Sequence, residues 1–367
     1  MAKIKRFFEC ALPVSVCNIE CSYCYLIQEN RRNMKPEPFP CSAEHIVNCL
    51  NKKRLGGTCL FNLCGFGETM AQSDLIPLVK GLLEEGHYVS ITTNGTLSNK
   101  YDELIEACGK NIGHLHLAFS FHYLELLRRG WIDKYFDNVN KMRSAGASIL
   151  VQFNLCDDYV PHLDEIKRLC LEKVGALPQV ALTRNEKTKP MSIMTAGTPE
   201  EYHQTGEIFQ SPLFDFTFKN FMVKRTEYCY AGEWSGVLDM KTGILKKCYA
   251  EPGGFNIFED PEQAIPFVPV GCDCHNIYCV NSSHFMSLGI IPELETPTYA
   301  QLRNRPEAHW YTAEMEKVLN SKLSESNKQH GPLRKWVLKN KGKSSREILS
   351  QFRFYQRLHK MKERNHG

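Results

Sequence analysis

Short, nearly continuous apolar runs alternate with amphipathic stretches over the first half of the chain. The runs fall at residues 8–16, 58–64, 88–93, 114–121, 148–155 and 179–183. Apolar character without a period of two suits parallel strands covered on both faces. Between the runs, apolar residues recur at helical spacing. One stretch opens at Ser42, a residue able to cap a helix N-terminus, and carries Ile46, Val47 and Leu50 on one face. Another groups Leu75, Leu78, Val79, Leu82 and Leu83 and stops at Gly86. Further helices are expected over 100–108, 132–145 and 161–173, each ending at a glycine. Six strand–helix repeats predict an α/β fold with a parallel sheet and right-handed crossovers. Six units are too few for a closed eightfold barrel, and spacing alone leaves a partial barrel and an open sheet both possible.

Composition adds limits rather than detail. At 367 residues, 43% hydrophobic and 23% charged, the chain is long enough for one large α/β domain plus a smaller attachment. It contains no apolar run of signal-peptide or membrane-span length, so a cytoplasmic location is expected. The net charge of +4 conceals an asymmetry: residues 331–367 hold eleven Lys/Arg against two acidic residues. These cations alternate with Trp336, Phe352, Phe354 and Tyr355. That mixture suits contact with an anionic surface or ligand, and equally a solvated helix docked by its apolar side. Helices are expected between 296 and 358, the best formed over 308–323.

Sixteen cysteines are unsuited to a disulfide framework in a cytoplasmic chain. The isolated ones, Cys10, Cys49, Cys59, Cys108 and Cys170, are expected to pack as small hydrophobes. Cys17, Cys21 and Cys24 are different: they read C-x₃-C-x₂-C. Three thiolates on one loop can hold three irons of a 4Fe–4S cube, which ordinarily takes four, leaving one iron for a ligand that is not protein. A zinc knuckle is the alternative, although no fourth ligand stands close by. Polar and glycine residues gather at the ends of the other runs, as Gly65-Phe66-Gly67-Glu68-Thr69, Thr92-Thr93-Asn94-Gly95, Ser120-Phe121-His122 and Gln152-Phe153-Asn154. Active sites of parallel barrels lie at the carboxyl ends of the strands, so these segments point to one shared pocket.

This combination resembles the radical S-adenosylmethionine (radical SAM) superfamily. The resemblance implies a partial (β/α)6 barrel and a 4Fe–4S cluster whose open iron takes the amino and carboxylate groups of SAM. It also implies one-electron cleavage of SAM to a 5′-deoxyadenosyl radical. Gly65-Phe66-Gly67-Glu68 resembles the family's "GGE" segment with Phe66 in place of the second glycine. The implied roles are backbone contact from Gly65 and Gly67 and amino-group contact from Glu68. Thr93 and Asn94 match the "TNG" strand end beside SAM, Ser120 falls where the family reaches the ribose, and Tyr23 where it places an aromatic near the adenine. Asn154 is expected to face the ribose or the substrate. Arg128 or Arg129 resembles an arginine pairing with the SAM carboxylate, a job suited to a fixed-charge fork.

Five more cysteines follow: Cys229, Cys248, Cys272, Cys274 and Cys279. From Cys229 to Cys248 the chain reads C-x₁₃-G-x₄-C, which resembles the β-hairpin opening of SPASM and twitch auxiliary domains. The segments 234–240 and 244–249 flank Lys241-Thr242-Gly243, a workable hairpin turn. Five thiols cannot complete two cubes but can hold one with a thiol to spare. The expectation is therefore one auxiliary 4Fe–4S cluster on Cys229, Cys248 and two of Cys272, Cys274 and Cys279, with a zinc ribbon as the alternative. His275 is expected to face solvent.

The organisation expected is a radical SAM partial barrel over 1–210, an auxiliary-cluster domain over 211–295 and a basic helical extension over 296–367. The function expected is hydrogen-atom abstraction from a small polar substrate, carbohydrate or nucleotide-linked. The auxiliary cluster would assist oxidation or epimerisation, and a flavodoxin- or ferredoxin-type protein would donate electrons. The sixteen residues before Cys17 leave no room for a leader-recognition domain, which weighs against the second reading, a maturase of ribosomally made peptides or proteins. A non-catalytic iron–sulfur carrier or sensor is the third. No catalytic acid or base is assigned, although His122, Glu125, Cys156 and Asp157 would point toward the pocket.

Overall fold

The computed structural model describes residues 3–32, 37–272, 274–279, 282–340 and 347–348. The six apolar runs are strands β1 (Arg6–Leu12), β2 (Cys59–Gly65), β3 (Tyr88–Thr93), β4 (Leu115–Ser120), β5 (Ser148–Leu155) and β6 (Gln179–Leu182). They pair in parallel and in chain order, as in a partial (β/α)6 barrel. The first strand ends before its apolar run does, because Pro13 has no N–H to continue the ladder. Registers such as Leu12 with Gly65 and Ser120 with Gln152 align the carboxyl ends at one rim.

The helices form where amphipathic spacing places them. Ala43–Cys49 starts at Ser42, whose hydroxyl accepts the His45 N–H at 3.2 Å. Leu75–Glu84 buries Leu75, Leu78, Val79, Leu82 and Leu83 and is closed by Gly86 at φ +80°. These two, Ser98–Cys108, Ile132–Ser144 and Leu163–Val174 pack side by side along the outer face. The five isolated cysteines are buried among them and the strands. Sequence reasoning missed the helix Pro199–Glu207, although Thr198 and Glu201 form a complete capping box there.

The expected hairpin is present as Ser235–Asp239 and Ile244–Lys246, turning at Gly243 with φ +74°. Its first strand pairs in parallel with β1, Phe7 opposite Ser235 and Ala11 opposite Asp239, so hairpin and barrel share one sheet. The helix expected over 308–323 is shorter than its pattern suggested, covering only Ala313–Leu319. Upstream of it, Trp310 is fully buried, its indole donates to the Val174 carbonyl at 3.1 Å, and its own carbonyl accepts from Ile149 at 2.8 Å. The chain is held non-helical there until Thr312 caps the helix. Helix Pro332–Asn340 begins the basic segment; most of that segment lies outside the described residues.

One feature hides inside the apolar runs. Glu9, Asn62, Ser90, His116 and Ser148 are register partners on five adjacent strands and form a buried polar belt. Segment 283–311 covers it with His284, Tyr299, Arg303 and Tyr311. Asn62 donates to Glu9 Oε1 at 2.7 Å, while Glu9 Oε2 is buried with no hydrogen bond. Burial, opposed by the Asn62 bond, the nearby Tyr249 hydroxyl and the Arg303 charge, pushes the Glu9 carboxyl up to about 7. A raised carboxyl pKa means the native state binds the proton more tightly than the unfolded state. Stability should therefore fall as pH rises from about 4.5 to about 7, by at most roughly 3 kcal/mol. Glu9→Gln keeps the bond from Asn62 and should remove that slope; urea unfolding midpoints measured from pH 4.5 to 8 check it, and an unchanged slope contradicts it.

Candidate active site

The cysteine loop is positioned by a short backbone pairing. Past Pro13, the Val14 carbonyl accepts from Gly67 N and the Val16 carbonyl from Glu68 N, both at 2.8 Å. That approach requires residues without a Cβ. At Gly67 a Cβ would lie 2.2 Å from the Val16 carbonyl oxygen, and at Gly65 it would lie 2.4 Å from Val14 Cγ1. The two glycines thus make room for the stretch that leads into Cys17. Gly65 N also donates to Thr69 Oγ1 at 2.9 Å.

Glu68 fastens the next strand end to the same place. Its carboxylate is buried and accepts from Met70 N at 2.9 Å, Thr93 Oγ1 at 2.6 Å and Asn94 N at 2.7 Å. Burial raises its pKa while these bonds pull it back down. Asn94 Nδ2 donates to Asn18 Oδ1 at 2.8 Å and stands 3.7 Å from Cys17 Sγ. On the far side of the loop, His122 Nδ1 lies 3.3 Å from Cys21 Sγ and 2.6 Å from the Tyr23 hydroxyl. Burial pushes the His122 imidazole down to about 4, so it is neutral at pH 7. Burial likewise raises the Cys17 and Cys21 thiols.

A cavity of about 450 Å³ opens on this rim. Cys17, Cys21 and Cys24 form part of its wall, with Tyr23, Gly65, Gly67, Glu68, Thr93, Asn94, Ser120 and Asn154. Eight of the nine expected SAM-site residues therefore share one cavity. Arg129 is not among them: its guanidinium faces Glu125 at 3.5 Å and Trp131 at 5.0 Å. Arg128 is engaged with the same carboxylate through two 2.9 Å bonds. Glu125 also accepts from Glu20 N, and Asp157 accepts from Thr195 and Ala196, so both acids hold loops. Cys156 is buried.

Sequence reasoning missed three arginines in the wall: Arg32, Arg184 and Arg303. Arg32 donates to the Cys17 carbonyl and pairs with Glu20 at 2.8 Å, with its Nε left unpartnered. Arg184 pairs with Glu186 at 3.1 Å.

The second cysteine set flanks the hairpin along the chain, and one member of it meets the cavity. Cys229 and Gly271 exchange backbone hydrogen bonds at 3.0 and 2.9 Å. The half-buried Cys229 thiol is raised first by desolvation and then by the nearby thiols of Cys248, Cys279 and Cys274. Cys279 reaches the wall of the central cavity. Cys272 instead bears on Tyr228. His275 is exposed, 3.5 Å from Glu251.

Among the described residues, no three His, Cys, Asp or Glu side chains converge closely enough to share a single metal ion. Soft thiols at a cavity wall are nonetheless the donor set of iron–sulfur clusters. A cluster's charge would reverse the burial penalty on the thiolates. The residues present fit such a group.

Residues 12–170 match the family model of the radical SAM superfamily. Among solved structures, SuiB of Streptococcus suis aligns with TM-score 0.50 at 16% identity, over 71% of this chain and 64% of its own. The same values hold for SuiB bound to S-adenosylmethionine and for SuiB bound to the precursor peptide SuiA. The chain thus spans less than two thirds of SuiB's length, and the likeness is one of fold. Native anSMEcpe with bound AdoMet aligns with TM-score 0.48 at 16% identity, over 70% of this chain and 79% of its own. No curated protein sequence matches the chain.

Gly67→Ala should displace the loop, costing about 1–3 kcal/mol as overpacking does, and should lower iron bound after anaerobic reconstitution. Gly113→Ala, where a Cβ meets nothing within 4 Å, is the comparison. Thermal unfolding and iron analysis of both variants check this, and equal behaviour contradicts it.

Proposed function

We propose that the chain, whose residues 12–170 match the radical SAM superfamily model, abstracts a hydrogen atom from a small polar substrate in its central cavity. The observation that carries this reading is one cavity wall shared by Cys17, Cys21 and Cys24 with Glu68, Thr93 and Asn94. When bound, the cluster and SAM supply the 5′-deoxyadenosyl radical. The protein's work is position and exclusion of water. Cys17, Cys21 and Cys24 ligate the cluster, and Asn18 with Asn94 steadies Cys17. A carboxylate offers about four lone-pair sites; Glu68 uses three, which leaves one for the ammonium group of SAM. Ser120 and Asn154 face the ribose, and Tyr23, fixed by His122, sits beside the adenine. Arg32, bound to the Cys17 carbonyl, replaces Arg129 as the partner of the SAM carboxylate.

A single auxiliary 4Fe–4S cluster is assigned to Cys229 and the three cysteines whose thiols act on it, Cys248, Cys274 and Cys279, with Cys272 the spare. Cys279 stands in the cavity wall, which supports a cluster beside the substrate, where it would accept an electron. This favours net oxidation or epimerisation of a small polar compound, carbohydrate or nucleotide-linked, with electrons from a flavodoxin- or ferredoxin-type donor in the cytoplasm. Among the described residues no helix is long and apolar enough to cross a membrane.

Reconstituted protein should form 5′-deoxyadenosine from SAM and dithionite, and Cys17→Ala should abolish this; an active Cys17→Ala protein refutes the reading. Iron should be ~8 per chain, falling to ~4 in Cys229→Ala and staying at ~8 in Cys272→Ala. Loss of iron from Cys272→Ala reassigns the auxiliary ligands.

A further inference from the structure

The three arginines of the cavity wall differ in what balances them. Arg32 faces Glu20 and Arg184 faces Glu186. Arg303 is the most buried, at 2% exposure, yet among the described residues no carboxylate lies within 4 Å of it. Its guanidinium lies over the Tyr299 ring at 3.8 Å, and Nη2 donates to the Ser283 carbonyl at 2.8 Å. Nη1 is buried without a hydrogen-bond partner.

An arginine cannot shed its proton in a protein, so its burial without a counter-ion is costly. The neighbouring groups do not supply one. His284, in the same wall, is held neutral by burial and by the Arg303 charge. Glu9 feels the Arg303 charge but makes no ion pair with it, and burial raises its carboxyl to about 7, so at neutral pH it offsets that charge only in part. What remains is one fixed positive charge with a free donor, at a cavity already large enough to hold a ligand. We infer that Arg303 is the anchor for a carboxylate carried by the substrate. A carboxylate suits the site better than a phosphate, because the Arg303 guanidinium carries one positive charge and the neutral His284 adds none, which balances a monoanion rather than a dianion. The anchored group enters on the side of Ser283 and His284, while Arg32 stands at the cysteine loop. This rests on the proposed hydrogen-abstracting function only in calling the ligand a substrate.

Trifluoroacetate serves as a monocarboxylate probe in fluorine NMR of the anaerobically reconstituted protein. Saturable line broadening is expected with wild type, reduced about tenfold or more in Arg303→Gln and partly kept in Arg303→Lys, which preserves charge but loses the fork. Thermal unfolding of each variant identifies one that has simply failed to fold, in which case the wild-type competition decides alone. In that competition, saturating SAM should leave trifluoroacetate bound, and inorganic phosphate should displace it less well than acetate. Displacement by SAM would make Arg303 part of the SAM site, preference for phosphate would reverse the assigned charge, and equal broadening by wild type and Arg303→Gln would remove the anchor. No SAM cleavage enters the titration, so protein that forms no 5′-deoxyadenosine would overturn the proposed function without altering this result.

Discussion

A chain of short contacts at one rim of the sheet carries the architecture of the site. The Val14 and Val16 carbonyls receive N–H groups from Gly67 and Glu68, and the Glu68 side chain receives Thr93 and Asn94. Asn94 then reaches Asn18 and approaches the sulfur of Cys17. Three strand ends and the cysteine loop are fastened by hydrogen bonds of which all but the sulfur contact are shorter than 3 Å. Every link is buried or half-buried, so water does not compete for its donors. Removing one partner leaves another unsatisfied, which is why the unit behaves as a whole rather than as separable contacts.

Much of this was legible in the sequence. Six apolar runs gave the parallel strands because a strand covered on both faces has no solvent side to alternate with. Ser42, Gly86 and the hairpin turn at Gly243 act through local backbone chemistry, and local chemistry can be read in a local window. The glycines after β2 were placed correctly, but the structure gives them a different task. Their missing Cβ atoms accommodate residues 14–16, a contact between segments fifty residues apart that no window contains.

What stayed hidden is long-range or polar. Arg128 and Arg129 carried the expected residue type, yet Glu125 three and four residues earlier holds both on their own helix. Glu9, Asn62, Ser90, His116 and Ser148 lie within runs whose average is apolar, and only the strand register brings them into one belt. Arg303 reads as one more cation near a basic end. Its isolation follows from burial under Tyr299 and Ser283, which is a property of tertiary packing.

The sheet also fixes the two cysteine sets relative to each other. β1 delivers the chain to Cys17, and the strand Ser235–Asp239, nine residues before Cys248, lies against β1 with Ala11 opposite Asp239. Val237 and Leu238 lie on opposite faces of the sheet and both are buried, so a slip of one residue would exchange their faces and mismatch the packing on each side. Register is therefore specified by burial, and with it the span between the loop at Cys17 and the hairpin end at Cys248. The backbone exchange between Cys229 and Gly271 then ties the remaining thiols to the same frame. If both cysteine sets hold redox centres, as proposed, the distance between them, on which electron transfer depends above all, would be set by this hydrogen-bonded ladder rather than by a linker. Cys17 and Cys279 both stand in the wall of the central cavity, so the frame that fixes the two cysteine sets also fixes where they meet that cavity.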